Sequence, residues 1–213
     1  MSPRRRKAED ADVFAAMGRV MRRVGPAELT LGAIAAEAGV TAGALVQRFG
    51  SKRELMLAHW RQAAVAGTPP EPAARASSPL QALRATAAQY ARLAASPRAA
   101  LRNLAYMQSD CADATLRRHV LRHARAARAR YAQLVTEAVA QGELRAGTDP
   151  QALARMIEVT LGGSFLAWTL HRDGAAATRL REDLDATLRP YLSGKSRRQR
   201  DKSHAPPLPD AGA

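Results

Sequence analysis

An amide and a guanidinium stand side by side in the stretch GVTAGALVQRF, as Gln47 and Arg48. A glutamine amide can bond with the edge of adenine, and an arginine can bond with phosphate or with the edge of guanine. Small residues lie next to them and would allow close approach and apolar contact with a thymine methyl: Ala42, Gly43 and Val46. These residue types predict that Gln47 reads a base in the major groove and that Arg48 binds phosphate, with a guanine edge as its alternative.

Two short helices separated by a glycine turn must hold these side chains in place. Thr30 is expected to cap the first helix and Thr41 the second. Seven apolar positions are expected to pack inward: Leu31, Ile34, Ala35, Ala38, Val40, Leu45 and Phe49. That packing turns six positions outward: Thr41, Ala42, Gly43, Val46, Gln47 and Arg48. The pattern is that of a helix-turn-helix, although similar helix pairs also occur in proteins that never touch DNA.

Further phosphate contacts are expected at helix starts and ahead of the first helix. Thr30, Thr41 and Lys52 lie where free amides and the positive end of the helix dipole favour phosphate, although plain capping also explains the threonines. A basic cluster precedes the first helix and can follow the DNA backbone or enter the minor groove, a solvated tail being the alternative: Arg4, Arg5, Arg6 and Lys7.

The charge of the whole chain agrees with a polyanionic partner. Its 33 basic and 19 acidic side chains give a formal net charge of +14, although much of the excess is arginine in an alanine-rich chain. No apolar run approaches the roughly 18 residues of a membrane span, so we expect no membrane partner and a cytoplasmic location. The single cysteine, Cys111, is expected to be a small core residue.

The predicted fold is all-α, because alanine, leucine and arginine dominate and no strict apolar alternation appears. A capping residue followed by proline predicts helix starts at Ser78, Ser96 and Asp149. The proline-rich connector after residue 66 divides the chain. We expect a three-helix helix-turn-helix domain over residues 1–66, a larger helical bundle over residues 67–193 and a disordered basic tail over residues 194–213.

The larger bundle has residues suited to a mostly apolar pocket, for which ordinary core packing is the alternative: Tyr90, Asn103, Tyr106, Met107, His123, Tyr131, Phe165 and Trp168. Its last two helices carry more apolar residues than one core-facing stripe needs, which favours a four-helix contact with a second copy over burial within the monomer. The residues chosen for that contact are Leu153, Ile157, Thr160, Gly163, Leu184 and Leu188. No nucleophile with a spaced base and no phosphate-cradling loop appears, so we expect no enzyme, no metal and no cofactor.

The segment LTLGAIAAEAGVTAGALVQRFGSKRELMLAHW resembles the DNA-binding region of the TetR family of transcriptional regulators. The matching residues, in order and spacing, are Thr30, Ile34, Ala35, Glu37, Ala38, Gly39, Val40, Thr41, Gly43, Leu45, Phe49, Ser51, Lys52 and Leu55. Two positions depart from the family pattern. Val46 stands where the family usually has a phosphate-binding tyrosine, and Arg48 stands where it usually has histidine.

The resemblance implies a homodimer whose N-terminal domain binds a double-stranded DNA operator and whose larger domain holds a small-molecule effector. The function predicted is that of a repressor on a pseudo-palindromic operator, released when the effector binds. Two alternatives stay open: an architectural protein that binds DNA without sequence preference, and a helical ligand-binding protein that binds no operator.

Overall fold

The structure, a computed structural model, describes residues 9–65, 76–94 and 96–194, with no side-chain description for residues 63–65. These ranges contain helices and no strand, so the all-α prediction is confirmed. The helices are α1 (Asp10–Met21), α2 (Leu31–Ala38), α3 (Ala42–Phe49), α4 (Lys52–Val65), α5 (Pro79–Leu93), α6 (Pro97–Ala112), α7 (Ala114–Ala140), α8 (Pro150–His171) and α9 (Ala176–Leu188). The predicted tail beyond residue 194, the connector around residue 66 and the basic cluster Arg4 to Lys7 lie outside the described residues.

Helix starts follow the capping residues that the sequence predicts. The hydroxyls of Ser78 and Ser96 accept hydrogen bonds from the third residue of α5 and α6, at 3.2 and 3.1 Å. The carboxylate of Asp149 accepts from the amides of Gln151 and Ala152 at 2.8 and 3.2 Å. Proline occupies the first position of all three helices, where its missing amide costs nothing.

Helix ends are less regular than their starts. Gly39 ends α2 with φ of 70°, a left-handed conformation that glycine adopts without steric cost. Arg172 caps the end of α8 in a left-handed conformation, with φ of 60°. α8 therefore ends at His171.

Two hydrophobic cores lie along the chain. The first fills the space among α1, α2, α3 and α4, and the second lies among α5, α7, α8 and α9. Tyr106 of α6 and Leu116 of α7 belong to the first core although they follow the connector in sequence. The N-terminal helices are therefore packed directly against the larger bundle.

Four residues expected at a dimer contact lie instead in the second core: Leu153, Ile157, Leu184 and Leu188, each with 0% exposure. Their inward-facing side chains fill the space between α8 and α9, so the single chain already buries them. The expectation that these four residues contact a second copy is therefore corrected.

Cys111 is exposed rather than buried, because it lies on the outer side of α6, which corrects the expectation of a core residue. Within the described ranges no helix is both long enough and apolar enough to cross a membrane.

Candidate nucleic-acid interface

Helix α3 packs against its neighbours on one side only. Ile34 of α2 and Leu45 of α3 are 0% and 1% exposed, and Val40 and Phe49 pack against the same core. The ring of Phe49 lies 6.0 Å from that of Phe14 in α1, centroid to centroid. These contacts fix the rotation of α3 and so decide which of its residues face outward.

The other side of α3 is open. All six residues predicted to face outward are exposed: Thr41, Ala42, Gly43, Val46, Gln47 and Arg48. Ala44 is exposed as well, and Val46 leaves 49% of its surface accessible. The prediction that this small-residue side faces away from the protein is confirmed. An exposed helix of this kind can enter a groove about 12 Å wide.

Both threonines act as helix caps. The hydroxyl oxygen of Thr30 accepts from the amide of Ala33, and that of Thr41 accepts from the amide of Ala44, each at 3.1 Å. A hydroxyl that accepts one bond still has its own hydrogen to donate. Capping and phosphate binding are therefore compatible at both residues.

The two long basic residues expected to bind phosphate have partners within the chain. Arg48 forms an ion pair with Asp10 at the start of α1, and its guanidinium lies 5.5 Å from the centre of the Phe49 ring. Lys52 donates from Nζ to the carbonyl of Pro26 at 3.3 Å, although its ammonium keeps two further hydrogens. A phosphate bound by Arg48 must compete with the Asp10 carboxylate.

Glu37 joins α2 to the end of α1. Its carboxylate contacts the guanidinium of Arg19 at 2.6 Å and that of Arg23 at 2.5 Å. The bonds from Arg19 and Arg23 lower the pKa of Glu37. No local pattern in the sequence indicates this pairing, because the partners lie 18 and 14 residues away.

Two family models match the chain. The model described as bacterial regulatory proteins, tetR family, matches residues 15–59, and the model described as tetracyclin repressor-like, C-terminal domain, matches residues 76–184. The chain belongs to the TetR family. The first model spans the open helix α3, and the second spans most of the larger bundle.

Solved TetR-type structures have the same fold. A TetR transcription regulator from Haloarcula marismortui superimposes with a TM-score of 0.72 at 14% identity, covering 86% of this chain and 98% of the other. A regulator from Saccharomonospora viridis in complex with choline gives 0.70 at 15% identity, covering 86% and 97%. SmeT, the repressor of the Stenotrophomonas maltophilia efflux pump SmeDEF, gives 0.64 at 23% identity, covering 89% and 93%. A comparison with curated protein sequences found no match.

In this TetR-family chain, the residues expected to line one pocket are spread over different surroundings. Tyr131, Phe165 and Trp168 are buried in the second core, and Tyr90 packs against it. Tyr106 lies in the first core, where its hydroxyl donates to the carbonyl of Val24 at 3.1 Å. The remaining three lie nearer the surface: Asn103, Met107 and His123. The eight residues therefore do not belong to one hydrophobic core.

Several polar contacts join the DNA-binding helices of the protein to its larger bundle, and sequence reasoning missed them. The indole nitrogen of Trp60 in α4 donates to Asp110 of α6 at 3.1 Å. Arg102 of α6 donates to the carbonyl of Arg22, close to the Tyr106 bond. The partners are 50 or more residues apart, so no helical period could reveal them.

Proposed function

We propose that this TetR-family protein is a dimeric repressor that binds a pseudo-palindromic operator and leaves it when a small molecule binds. The observation that carries the proposal is the open side of α3, where small residues surround Gln47 on a helix anchored by buried Leu45. Gln47 reads a base edge, and Thr30, Thr41 and Lys52 fix the register on phosphates.

A second copy is proposed to pack on the outer side of α8. Met156, Val159, Leu166 and Leu170 are 49%, 60%, 47% and 67% exposed, although all are large and apolar. They recur at helical spacing on one side, together with exposed Gly162 and Gly163. Apart from the backbone of α8 and the two neighbouring residues, no described heavy atom lies within 4 Å of where a Cβ on either glycine would be, so another backbone has room to approach. Gly163 therefore remains in the proposed contact. The hydroxyl of half-buried Thr160 is hydrogen-bonded to that of Thr187 in α9, at 2.8 Å.

The effector is proposed to bind beside the second core, near Tyr90 and Tyr131. The relative from Saccharomonospora viridis was crystallised with choline, and SmeT is a repressor, which favours ligand binding and repression in this chain as well. α6 connects the bundle to the α1–α2 turn through Arg102 and Tyr106. If the ligand binds more tightly when α6 takes one of two positions, it increases the population of that position. The distance between the two α3 helices of the dimer would then change.

Selection of bound fragments from random DNA tests the proposal. The expected result is an inverted repeat whose half-sites are about 34 to 36 Å apart, or a multiple of that distance. Competition at fixed salt should favour the selected fragment over random DNA by about 10³-fold or more. Equal competition would indicate an architectural protein instead. Failure to retain any fragment would leave a helical ligand-binding protein.

A further inference from the structure

The first half of α7 carries an unusually basic surface. Arg117, Arg118, Arg122 and Arg125 are all exposed. Spacings of four and three residues place Arg118, Arg122 and Arg125 on one side of the helix, and Arg117 lies next to Arg118 at the edge of that side. We call these four residues the arginine face. From the first to the last it extends about 12 Å along the helix axis.

No acidic residue in the described ranges forms an ion pair with the arginine face. The ion pairs of α7 involve the later residues Arg128 and Arg130, with Glu158 and Glu137. Arg118 does donate to the hydroxyl of Thr115 at 3.1 Å, but that bond leaves its charge unbalanced. Like charges four residues apart destabilise a helix, so this arrangement lowers the stability of α7.

The positive field of this surface extends onto α4. His119 lies between Arg118 and Arg122 in the sequence, and burial together with the charges of Arg122, Arg61 and Arg118 lowers its pKa. Arg61 belongs to α4, so basic side chains from both helices share one region of the surface. At Arg61, which also contacts Glu54 at 3.7 Å, the arginine face therefore meets the DNA-binding domain.

The arginine face lies at the end of the bundle nearest to α3. Asp113, which caps α7, contacts Arg53 in the first turn of α4 at 2.7 Å. α4 begins only three residues after α3 ends. Arg117 is about 6 Å further along α7 from Asp113. Farther along both helices, Trp60 and His123 are 6.0 Å apart, so α4 and α7 run side by side in the same direction.

We propose that the arginine face binds the phosphates of the DNA that flanks the operator, an inference that rests on the proposed operator binding. Charge complementarity favours DNA over a protein partner. Leu121 is the one large apolar residue of α7 among the exposed ones, and protein interfaces are depleted of charge at their centres. DNA interfaces are strongly positive, and a duplex presents about seven phosphate charges over 12 Å.

The test compares Arg118→Gln/Arg122→Gln with the matched variant Arg179→Gln/Arg181→Gln, whose exposed arginines lie on α9. Each protein is titrated with the selected operator alone and with the same operator extended by ten base pairs or so of fixed sequence on both sides (roughly one helical turn). Dissociation constants are measured by fluorescence anisotropy over a series of KCl concentrations. Circular dichroism melting verifies folding, and the Arg118/Arg122 variant should melt no lower than the wild type because like charges are removed.

The expected result is a loss of affinity confined to the extended DNA. The salt slope on that fragment should fall by about 0.9 for each phosphate contact removed, while the α9 variant stays at the wild-type slope. Equal slopes for the Arg118/Arg122 variant and the wild type on extended DNA would overturn the inference, and would leave an acidic protein as the partner of this face. If the wild type binds no selected fragment, the proposed function fails as well.

Discussion

Arg53 of α4 and Asp113 at the start of α7 form a two-point ion pair, with Nε and Oδ2 2.7 Å apart and Nη2 and Oδ1 3.1 Å apart. The same carboxylate caps α7 by accepting from the amides of Thr115 and Leu116 at 2.8 and 3.0 Å. One side chain therefore both starts the longest helix of the described chain and holds it against the DNA-binding domain.

Asp113→Asn should weaken this junction while retaining the cap, because asparagine caps as well as aspartate. The bond with Arg53 and the amide of Leu116 hold the pKa of Asp113 well below its ordinary value. A pKa that is lower in the folded state stabilises the protein at pH values above about 3.9, the ordinary pKa of an aspartate. That stabilisation is lost as the pH falls. The variant should melt lower than the wild type at pH 7, with the difference vanishing in acid. Asp173→Asn, at an exposed loop residue, is the control; an equal deficit at every pH would contradict the assignment.

Asp110→Asn should change the pH dependence of stability in the opposite direction to Asp113→Asn. Asp110 is 3% exposed, and its Oδ1 has no hydrogen-bond partner in the described ranges. Burial raises its pKa, although the bond from Trp60 opposes that shift. A raised pKa adds stability at low pH that is lost as the pH rises. The asparagine variant should therefore melt no lower than the wild type at pH 8 and lose less stability as the pH rises above about 4, the ordinary pKa of an aspartate. Asp110→Ala, which leaves the Trp60 donor unpaired, should cost about 1 to 3 kcal/mol.

Gly39 and Gly43 should respond to alanine with opposite signs. Gly39 has φ of 70°, so alanine there is strained by roughly 1 to 2 kcal/mol even though no atom blocks the side chain. Gly43 lies inside α3, and the nearest atom to an added Cβ is the Thr41 hydroxyl at 4.0 Å. Gly43→Ala should stabilise the fold by about 0.5 to 1 kcal/mol and weaken operator binding, because the methyl fills the open side of α3. Urea denaturation and operator titration measure the two effects; unchanged operator affinity would place Gly43 outside the contact.

Gln47→Ala should relax base discrimination without changing the fold. A good base contact contributes about 1 to 3 kcal/mol of discrimination, so affinity for the selected operator should fall roughly 5- to 150-fold. Affinity for random DNA should stay near the wild-type value. Arg5→Ala is the contrasting variant, expected to weaken both DNAs alike and to flatten the salt slope. Equal losses on both DNAs for Gln47→Ala would remove its role as a base reader.

Val159→Glu/Leu166→Glu should convert the proposed dimer to a monomer. Both side chains are exposed on α8, so charge there meets water in the monomer and a second apolar surface in the dimer. Size-exclusion chromatography with light scattering measures the mass. Leu101→Glu, at a residue of α6 that is 46% exposed, is the matched control and should keep the wild-type mass. A monomeric wild type at micromolar concentration would contradict the proposed contact.

Much of the DNA-binding domain follows from the sequence because its signals are local. The caps at Thr30 and Thr41 act within one turn, and the outward side of α3 follows from the spacing of Leu45 and Phe49. The residues of the proposed dimer contact do not follow from local signals. Apolar residues crowd two sides of α8, and their types alone do not say whether Ile157 or Val159 faces the core.

The amino-acid sequence by itself determined where helices begin, which residues cap them and that α3 has a side without large apolar residues. The tertiary structure decided which side of α8 is buried, that Cys111 faces outward and that Arg53 meets Asp113. The physical reason is the separation along the chain of the residues that interact. A cap or a helical stripe depends on residues within a few positions, whereas burial and ion pairing depend on which helix packs against another after 50 or 60 intervening residues.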